Sequence, residues 1–136
     1  MTEQRVVTRE HMRLEAAAAR RAGERVTLVE GDFDLLSLAA ARFLAGARAA
    51  GGRLLVAVSG DRASAARLGP GRPLLSAVER ARLVAGLRGV DLVAIDDDPE
   101  SGALARELNA DLRLEAPVEV ERATFERVLT ARRAAE

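Results

Sequence analysis

The sequence predicts an α/β domain in which a parallel sheet lies between two layers of helices. The apolar run after Arg25 is continuous, as in strands that are covered on both faces, and a second such run spans Arg53–Val58. Between them a helical pattern begins after Ser37, a good N-cap residue, and ends at Gly51 and Gly52. A strand, a helix and a second strand form a βαβ unit with a right-handed crossover.

The length, hydrophobic content and charge of the chain limit its number of domains and its classes of partner. The chain has 136 residues, of which 49% are hydrophobic, enough for one domain over residues 1–136. We divide it into a leading helix (8–22), a core (25–116) and a C-terminal helix (117–136). The 21 basic residues balance the 21 acidic residues, so no net charge attracts nucleic acid or an anionic membrane, and we expect neither partner.

Missing residue types exclude further chemistry. There is no cysteine, which excludes disulfides, thiolate nucleophiles and cysteine metal sites, and no lysine, which excludes a Schiff base. The first residues lack the apolar region of a signal peptide, and no apolar run approaches the roughly 18 residues that cross a bilayer. We therefore expect a cytoplasmic protein.

Helix signals open the chain before its first strand. Thr8 can cap a helix over Arg9–Ala22, and Gly23 suits its end. The only histidine, His11, lies in the first turn of this helix, far in sequence from the tight turn that we predict at Gly31. We expect His11 to be a solvated or capping residue without a catalytic role.

Loop and helix signals alternate after the second strand. Arg62–Leu75 is predicted as a loop with at most one helical turn, because Gly69-Pro-Gly-Arg-Pro73 breaks a helix. Ser76-Ala-Val-Glu79 is a capping box that begins a helix ending near Leu87.

The remaining elements follow from apolar runs and caps. Val90–Ile95 is predicted as a third strand, and Asp98 as the cap of a helix with Pro99 at its first position. Three adjacent aspartates, 96–98, can indicate a metal site, but their place at the start of a helix explains them without one. A final helix is expected over Val120–Ala134.

One stretch resembles a known family. Gly31-Asp-Phe-Asp-Leu-Leu36, followed by Arg42-Phe-Leu44, is similar to the signature of the cytidylyltransferase-like nucleotidyltransferases, with the nearest likeness in the heptose-1-phosphate adenylyltransferase domain of bacterial ADP-heptose synthase. Gly69–Pro73 and Glu79-Arg80 also match that domain.

The resemblance implies a Rossmann-like nucleotidyltransferase fold, a three-layer, doubly wound parallel sheet in the order 3-2-1-4-5 or a truncation of it. A fourth strand is implied within Asn109–Glu115. The family's following loop has no counterpart, so the C-terminal part is shortened.

The signature departs from the family where the chemistry is done. The family has Gly-Cys-Phe-Asp-Leu-Leu-His-x-Gly-His, whose histidines bind and polarise the nucleotide phosphates, and Ser37 and Ala40 occupy those two positions here. No catalytic residue is therefore retained. For Arg72 a solvated arginine on a rigid connector is an equal alternative. The residues that the resemblance implies for nucleotide or phosphate binding, if any occurs, are Gly31, Phe33, Asp34, Ser37, Asp61, Arg72 and Arg80.

The turn is also acidic, since Glu30, Asp32 and Asp34 lie within five residues. A carboxylate within about 4 Å of a triphosphate oxygen would oppose binding by roughly 4 kcal/mol at an effective dielectric of 20. We expect no metal site, although these three acids form a weak alternative site for Mg²⁺.

Three functions are consistent with these residues. The first is a degenerate nucleotidyltransferase-like domain, a pseudoenzyme without cofactor that is a non-catalytic binding or assembly module, with a homodimer or a partner protein expected. The alternative is an active sugar-phosphate nucleotidyltransferase with a remodelled, Mg²⁺-dependent site. A module that binds a nucleotide or sugar phosphate without turnover is a third possibility.

Overall fold

The computed structural model describes residues 2–116, 130 and 134, and in this part of the chain four parallel strands form one sheet with helices on both faces. The strands are β1 (Val26–Gly31), β2 (Arg53–Ser59), β3 (Leu92–Asp96) and β4 (Leu112–Glu115). The α-helices are α1 (Arg9–Arg21), α2 (Leu38–Ala49), α3 (Asp61–Leu68), α4 (Ala77–Ala85) and α5 (Ala103–Leu108). Short 3-10 turns span Thr2–Arg5 and Pro99–Ser101.

The strand order is β3-β2-β1-β4, which confirms the predicted order in its truncated form. β1 and β2 pair from Val26 with Arg53 to Gly31 with Val58. All four strands therefore end at the same edge of the sheet, where ligand sites of open α/β sheets lie. No helix among the described residues is long and apolar enough to cross a membrane.

The sheet separates two buried clusters because successive side chains of a strand point to opposite faces. One cluster joins the sheet to α2 and α4, and it includes Val29, Leu44, Val56, Ala81 and Val93. The other joins the sheet to α1 and α5, and it includes Met12, Ala16, Leu28, Leu55 and Leu104. Both layers that flank the predicted sheet are therefore present.

The N-caps predicted at Thr8 and Ser76 are confirmed. Thr8 accepts a hydrogen bond from the His11 N–H at 3.1 Å, and α1 ends at Arg21 with Ala22 as its C-cap. The capping box of α4 is complete, with hydrogen bonds in both directions between Ser76 and Glu79. These caps depend on neighbouring residues alone, which is why the sequence reveals them.

The predicted loop over Arg62–Leu75 is wrong, because α3 occupies its first part. The N-cap of α3, Gly60, makes no side-chain hydrogen bond, and Ser64 is the buried residue of the helix. Neither a cap signal nor an apolar period marks this helix. The buried side chain of the helix, Ser64, contacts the polar side chains of Asp32 and Arg80 instead of an apolar core.

The helix predicted to begin at Pro99 is also different. The Asp98 side chain makes no capping hydrogen bond; instead, the Asp98 N–H donates to Asp96 Oδ1 at 3.1 Å. Pro99–Ser101 is a 3-10 turn, and α5 begins only at Ala103.

The start of the third strand and the predicted C-terminal helix are the remaining boundaries to compare with the structure. The third strand begins at Leu92, two residues later than predicted. The predicted helix over Val120–Ala134 lies outside the described residues, except for residues 130 and 134, which are helical.

Gly31 is the last residue of β1 and not the turn residue, which corrects the predicted tight turn there. The left-handed backbone conformation belongs to Phe33, with φ of 52°. A Cβ atom at Gly31 would lie 2.9 Å from the Cβ of Ala116 and 2.9 Å from the Phe33 ring. Glycine is therefore required here for close packing.

Replacement of Gly31 by alanine tests this packing. We expect Gly31→Ala to lower the free energy of unfolding by about 1–3 kcal/mol, because Phe33 or Ala116 must shift to admit the methyl group. Gly46→Ala is the matched control, since a Cβ at this helical position meets nothing within 4 Å and alanine favours a helix by roughly 0.5–1 kcal/mol. Urea unfolding of both variants measures the difference, and equal effects would contradict the account.

Candidate active site

The site expected from the sequence is the turn that joins β1 to α2. The turn begins at Asp32, and the Phe33 ring that follows is almost fully buried in the cluster under α2. The next side chain, Asp34, is completely buried. The turn is therefore anchored by its own side chains.

Asp34 binds the loop before α4. Its carboxylate accepts hydrogen bonds from the N–H groups of Leu74 and Leu75, and from Arg72 Nε at 2.6 Å. Burial raises the pKa of Asp34, but the hydrogen bonds from Leu75, Arg72 and Leu74 and the Arg72 charge outweigh it, so the pKa is lowered. Both Asp34 and Arg72 serve the fold here, and Arg72 is buried rather than solvated.

Arg80 is wholly buried on α4 and binds protein acceptors. Its Nε donates to the Leu75 carbonyl oxygen, and its Nη1 donates to the Asp32 carbonyl oxygen at 2.7 Å and to Ser64 Oγ. Its Nη2 donates to Asp61 Oδ1 at 3.0 Å, the same oxygen that accepts the Ala77 N–H. Arg80 and Asp61 thus join α4 to the turn and to α3.

Ser37 and Ala40 lie at the N-terminus of α2. Ser37 Oγ accepts the Ala40 N–H at 3.1 Å, which satisfies one of the free amides of the first helical turn. Ala40 is buried and offers only a methyl group. The helix terminus therefore has fewer free donors for an anion than an uncapped one.

Each of the three acids at the turn binds an arginine, two of which also pair with a second acid. Glu30 Oε2 accepts from Arg113 Nε at 2.6 Å, Asp32 Oδ2 lies 3.3 Å from Arg67 Nη1, and Asp34 binds Arg72. The repulsion expected from the sequence was for unpaired carboxylates, and these ion pairs offset part of it.

The same pairing bears on the weak Mg²⁺ alternative at Glu30, Asp32 and Asp34. No group of three or more histidine, aspartate or glutamate side chains in the described part of the chain is placed to hold a metal ion. The three carboxylates bind three separate arginines instead, so they do not fit a shared cation.

Two of these arginines, Arg67 and Arg113, were not singled out from the sequence. Burial lowers the pKa of Arg67, but the Asp32 charge and the hydrogen bond to Glu100 outweigh it and raise the pKa. The hydrogen bond to Glu30 raises the pKa of Arg113 despite some burial. The predicted neighbouring positions of strands 1 and 4 were the signal that could have placed Arg113 near Glu30.

His11 lies on the other face of the sheet from α2. It is exposed in the first turn of α1, with its Nε2 atom 3.6 Å from Glu15. Since it is the only histidine of the chain, no imidazole is available at the N-terminus of α2.

The Asp34 ion pair makes stability depend on pH. The pKa of Asp34 is lower in the folded state than its value of about 3.9 in an unfolded chain, so the native state binds fewer protons and loses stability as pH falls from about 4 downward. We expect Asp34→Asn to lower the free energy of unfolding at pH 7 by about 3 kcal/mol and to flatten this acid dependence.

Urea unfolding at pH values from 7 to 2 measures both effects. The exposed Glu100, which pairs with Arg67, gives the control Glu100→Gln, with an expected change below about 1 kcal/mol. An unchanged acid slope in Asp34→Asn would show that another group carries the pH dependence.

Comparison with known proteins confirms the resemblance found in the signature. The cytidylyltransferase-like family model matches residues 28–132. The bifunctional protein HldE of Edwardsiella ictaluri is 35% identical over 107 residues, which cover 79% of this chain and 22% of that protein. HldE of Escherichia coli (strain K12 / DH10B) is 36% identical over 101 residues, which cover 74% of this chain and 21% of that protein. The chain thus spans about a fifth of the length of these relatives.

A solved structure agrees in fold. The lipopolysaccharide core biosynthesis protein from Thermoplasma volcanium GSS1 superimposes with a TM-score of 0.59 at 25% identity, over 67% of this chain and 73% of that chain. The family model covers well over half of the sequence, and the relatives exceed 30% identity over most of it. The chain therefore belongs to the cytidylyltransferase-like family.

Proposed function

We propose that this chain is a degenerate nucleotidyltransferase-like domain that acts as a non-catalytic assembly module. The observation that carries the proposal is the pair Ser37 and Ala40 at the two positions where the family signature has histidines. Ser37 is occupied as the cap of α2, and Ala40 has no donor in its side chain. Loss of one preorganised donor typically lowers turnover by about a hundred- to a thousandfold.

The arginines near the turn support the same proposal. A transferase needs cations that are free to stabilise the developing charge on phosphate. Here Arg72 and Arg80 are buried and bind protein acceptors, and Arg67 pairs with Asp32 and Glu100. A nucleotide would have to compete with carboxylates that are already in place.

The surface around the turn supports assembly. We define the apolar rim as Leu38, Leu74 and Val78, three exposed side chains on or next to the turn and the loop that Asp34 joins. Leu38 follows the cap Ser37 and is 67% exposed. The Leu74 N–H binds Asp34, and Val78 lies in the first turn of α4. Apolar side chains grouped on a surface are typical of protein contacts.

An enzyme assay separates this proposal from the active transferase. We expect no pyrophosphate above background when the purified chain is incubated with heptose 1-phosphate, Mg²⁺ and ATP or CTP. We also expect no thermal shift with these nucleotides, whereas a ligand at a hundred times its Kd would stabilise the fold by about 2.7 kcal/mol.

Release of pyrophosphate in proportion to protein concentration would overturn the proposal. The matched variant Ser37→Ala identifies its source. A fall in rate would assign the reaction to this turn, because Ser37 is the remaining polar side chain at the two exchanged positions.

Light scattering tests the assembly part of the proposal. We expect the mass of two chains for the wild type and of one chain for the double variant Leu38→Glu/Leu74→Glu, because charges on the apolar rim oppose its burial. Leu14→Glu is the matched control, since Leu14 is also exposed but lies on α1, across the sheet. A wild-type mass of one chain, or dissociation by Leu14→Glu alone, would contradict a homodimer through the rim.

A further inference from the structure

A polar cavity of about 340 Å³ opens at the carboxyl ends of the strands, and we call it the strand-end pocket. This volume lies at the lower end of the range for small-molecule sites. The polar lining of the pocket includes Glu30, Ser59, Arg67, Glu100, Arg113 and Glu115.

The buried polar groups of the strand-end pocket lie on the face of the sheet opposite α2, while Arg67 and Ala116 close it at the strand ends. Glu30 has the same orientation on β1 as Leu28, which packs with Met12 of α1. Val29, between them in sequence, points the other way and packs with Leu44 of α2. The lining of the pocket therefore does not include Ser37 or Ala40, although it shares Glu30, Arg67 and Arg113 with the surroundings of the turn.

Glu30 is the buried polar group of the strand-end pocket. Its side chain is 7% exposed, and its Oε2 atom accepts from Arg113 Nε at 2.6 Å. Its Oε1 atom is buried and has no hydrogen-bond partner among the described residues. Buried carboxylate oxygens are nearly always hydrogen-bonded, so a ligand that offers a donor would complete this group.

The charge around the strand-end pocket favours a positive donor. Four carboxylates, those of Glu30, Asp32, Glu100 and Glu115, share the two guanidinium groups of Arg67 and Arg113. Negative charge is therefore in excess. A charged N–H group makes a stronger hydrogen bond to a carboxylate than a hydroxyl group does, and an anionic ligand is opposed by the same field.

We propose that the strand-end pocket binds a small polar molecule with a primary ammonium group, which donates a hydrogen bond to Glu30 Oε1. Oε1 is shielded from solvent, so a side chain must move to admit the ligand. Arg113 binds the same carboxylate and is 42% exposed, so we assign this movement to Arg113. Ser59 supplies a hydroxyl on the pocket wall for a polar group of the ligand.

Three probes with the same sugar ring test the charge preference on the wild-type chain. Glucosamine carries a positive charge at pH 7, glucose is neutral, and glucose 6-phosphate is negative. Titration followed by ligand-observed NMR is expected to give a Kd for glucosamine at least about tenfold lower than for glucose, with the weakest binding for the phosphate. Equal binding of glucose and glucosamine, tightest binding of the phosphate, or no saturable binding of glucosamine would overturn the proposal.

A pair of matched variants assigns the preference to Glu30. Glu30→Gln keeps the shape but removes the charge, and it is expected to abolish the preference for glucosamine. Glu24→Gln makes the same change before β1, at the opposite end of the strand, and is expected to leave it intact. An equal loss in both variants would overturn the assignment.

The comparison of probes on the wild-type chain decides the proposal even if Glu30→Gln fails to fold. The measurement involves no nucleotide, so its outcome is independent of the assay for pyrophosphate release.

Discussion

The buried carboxylate of Asp34 holds together the segments on which the candidate site depends. It binds Arg72 and the amides of Leu74 and Leu75, and so it joins the turn after β1 to the loop before α4. With that loop fixed, α4 begins at its capping box and directs Arg80 to the Asp32 carbonyl oxygen. Removal of one partner from such a buried pair costs more than the pair contributes, because the other charge stays behind.

The contacts around the turn also determine which groups the nearby arginines bind. In phosphoryl chemistry the protein mainly supplies position and positive charge, and those groups must be free when the ligand arrives. In this chain Arg67, Arg72 and Arg113 neutralise its own carboxylates near the turn, and Arg80 binds the backbone. The family fold is therefore present, and these arginines bind groups within the chain. The strand-end pocket keeps an excess of negative charge, which points to a different kind of ligand.

Local sequence patterns were enough for much of the fold. The caps at Thr8, Ser37 and Ser76 involve residues three positions apart, and the apolar strands are continuous runs. Helix α3 was not predicted, because its N-cap Gly60 has no side chain and its buried residue is the polar Ser64. The family signature indicated the turn, but not that its acids would be neutralised.

The exact ion pairs were beyond sequence reasoning, since they join residues far apart in the chain, although the predicted neighbouring positions of β1 and β4 could have placed Arg113 near Glu30. Asp32 and Arg67 are 35 positions apart, and Glu30 and Arg113 are 83 positions apart.

The most direct test of the account is a crystal of the chain soaked with ATP and Mg²⁺. We predict that the ion pairs of Asp32 and Asp34 stay intact and that no nucleotide density appears beside Ser37. Triphosphate density at the N-terminus of α2, with Arg67 or Arg72 turned toward it, would contradict the central claim.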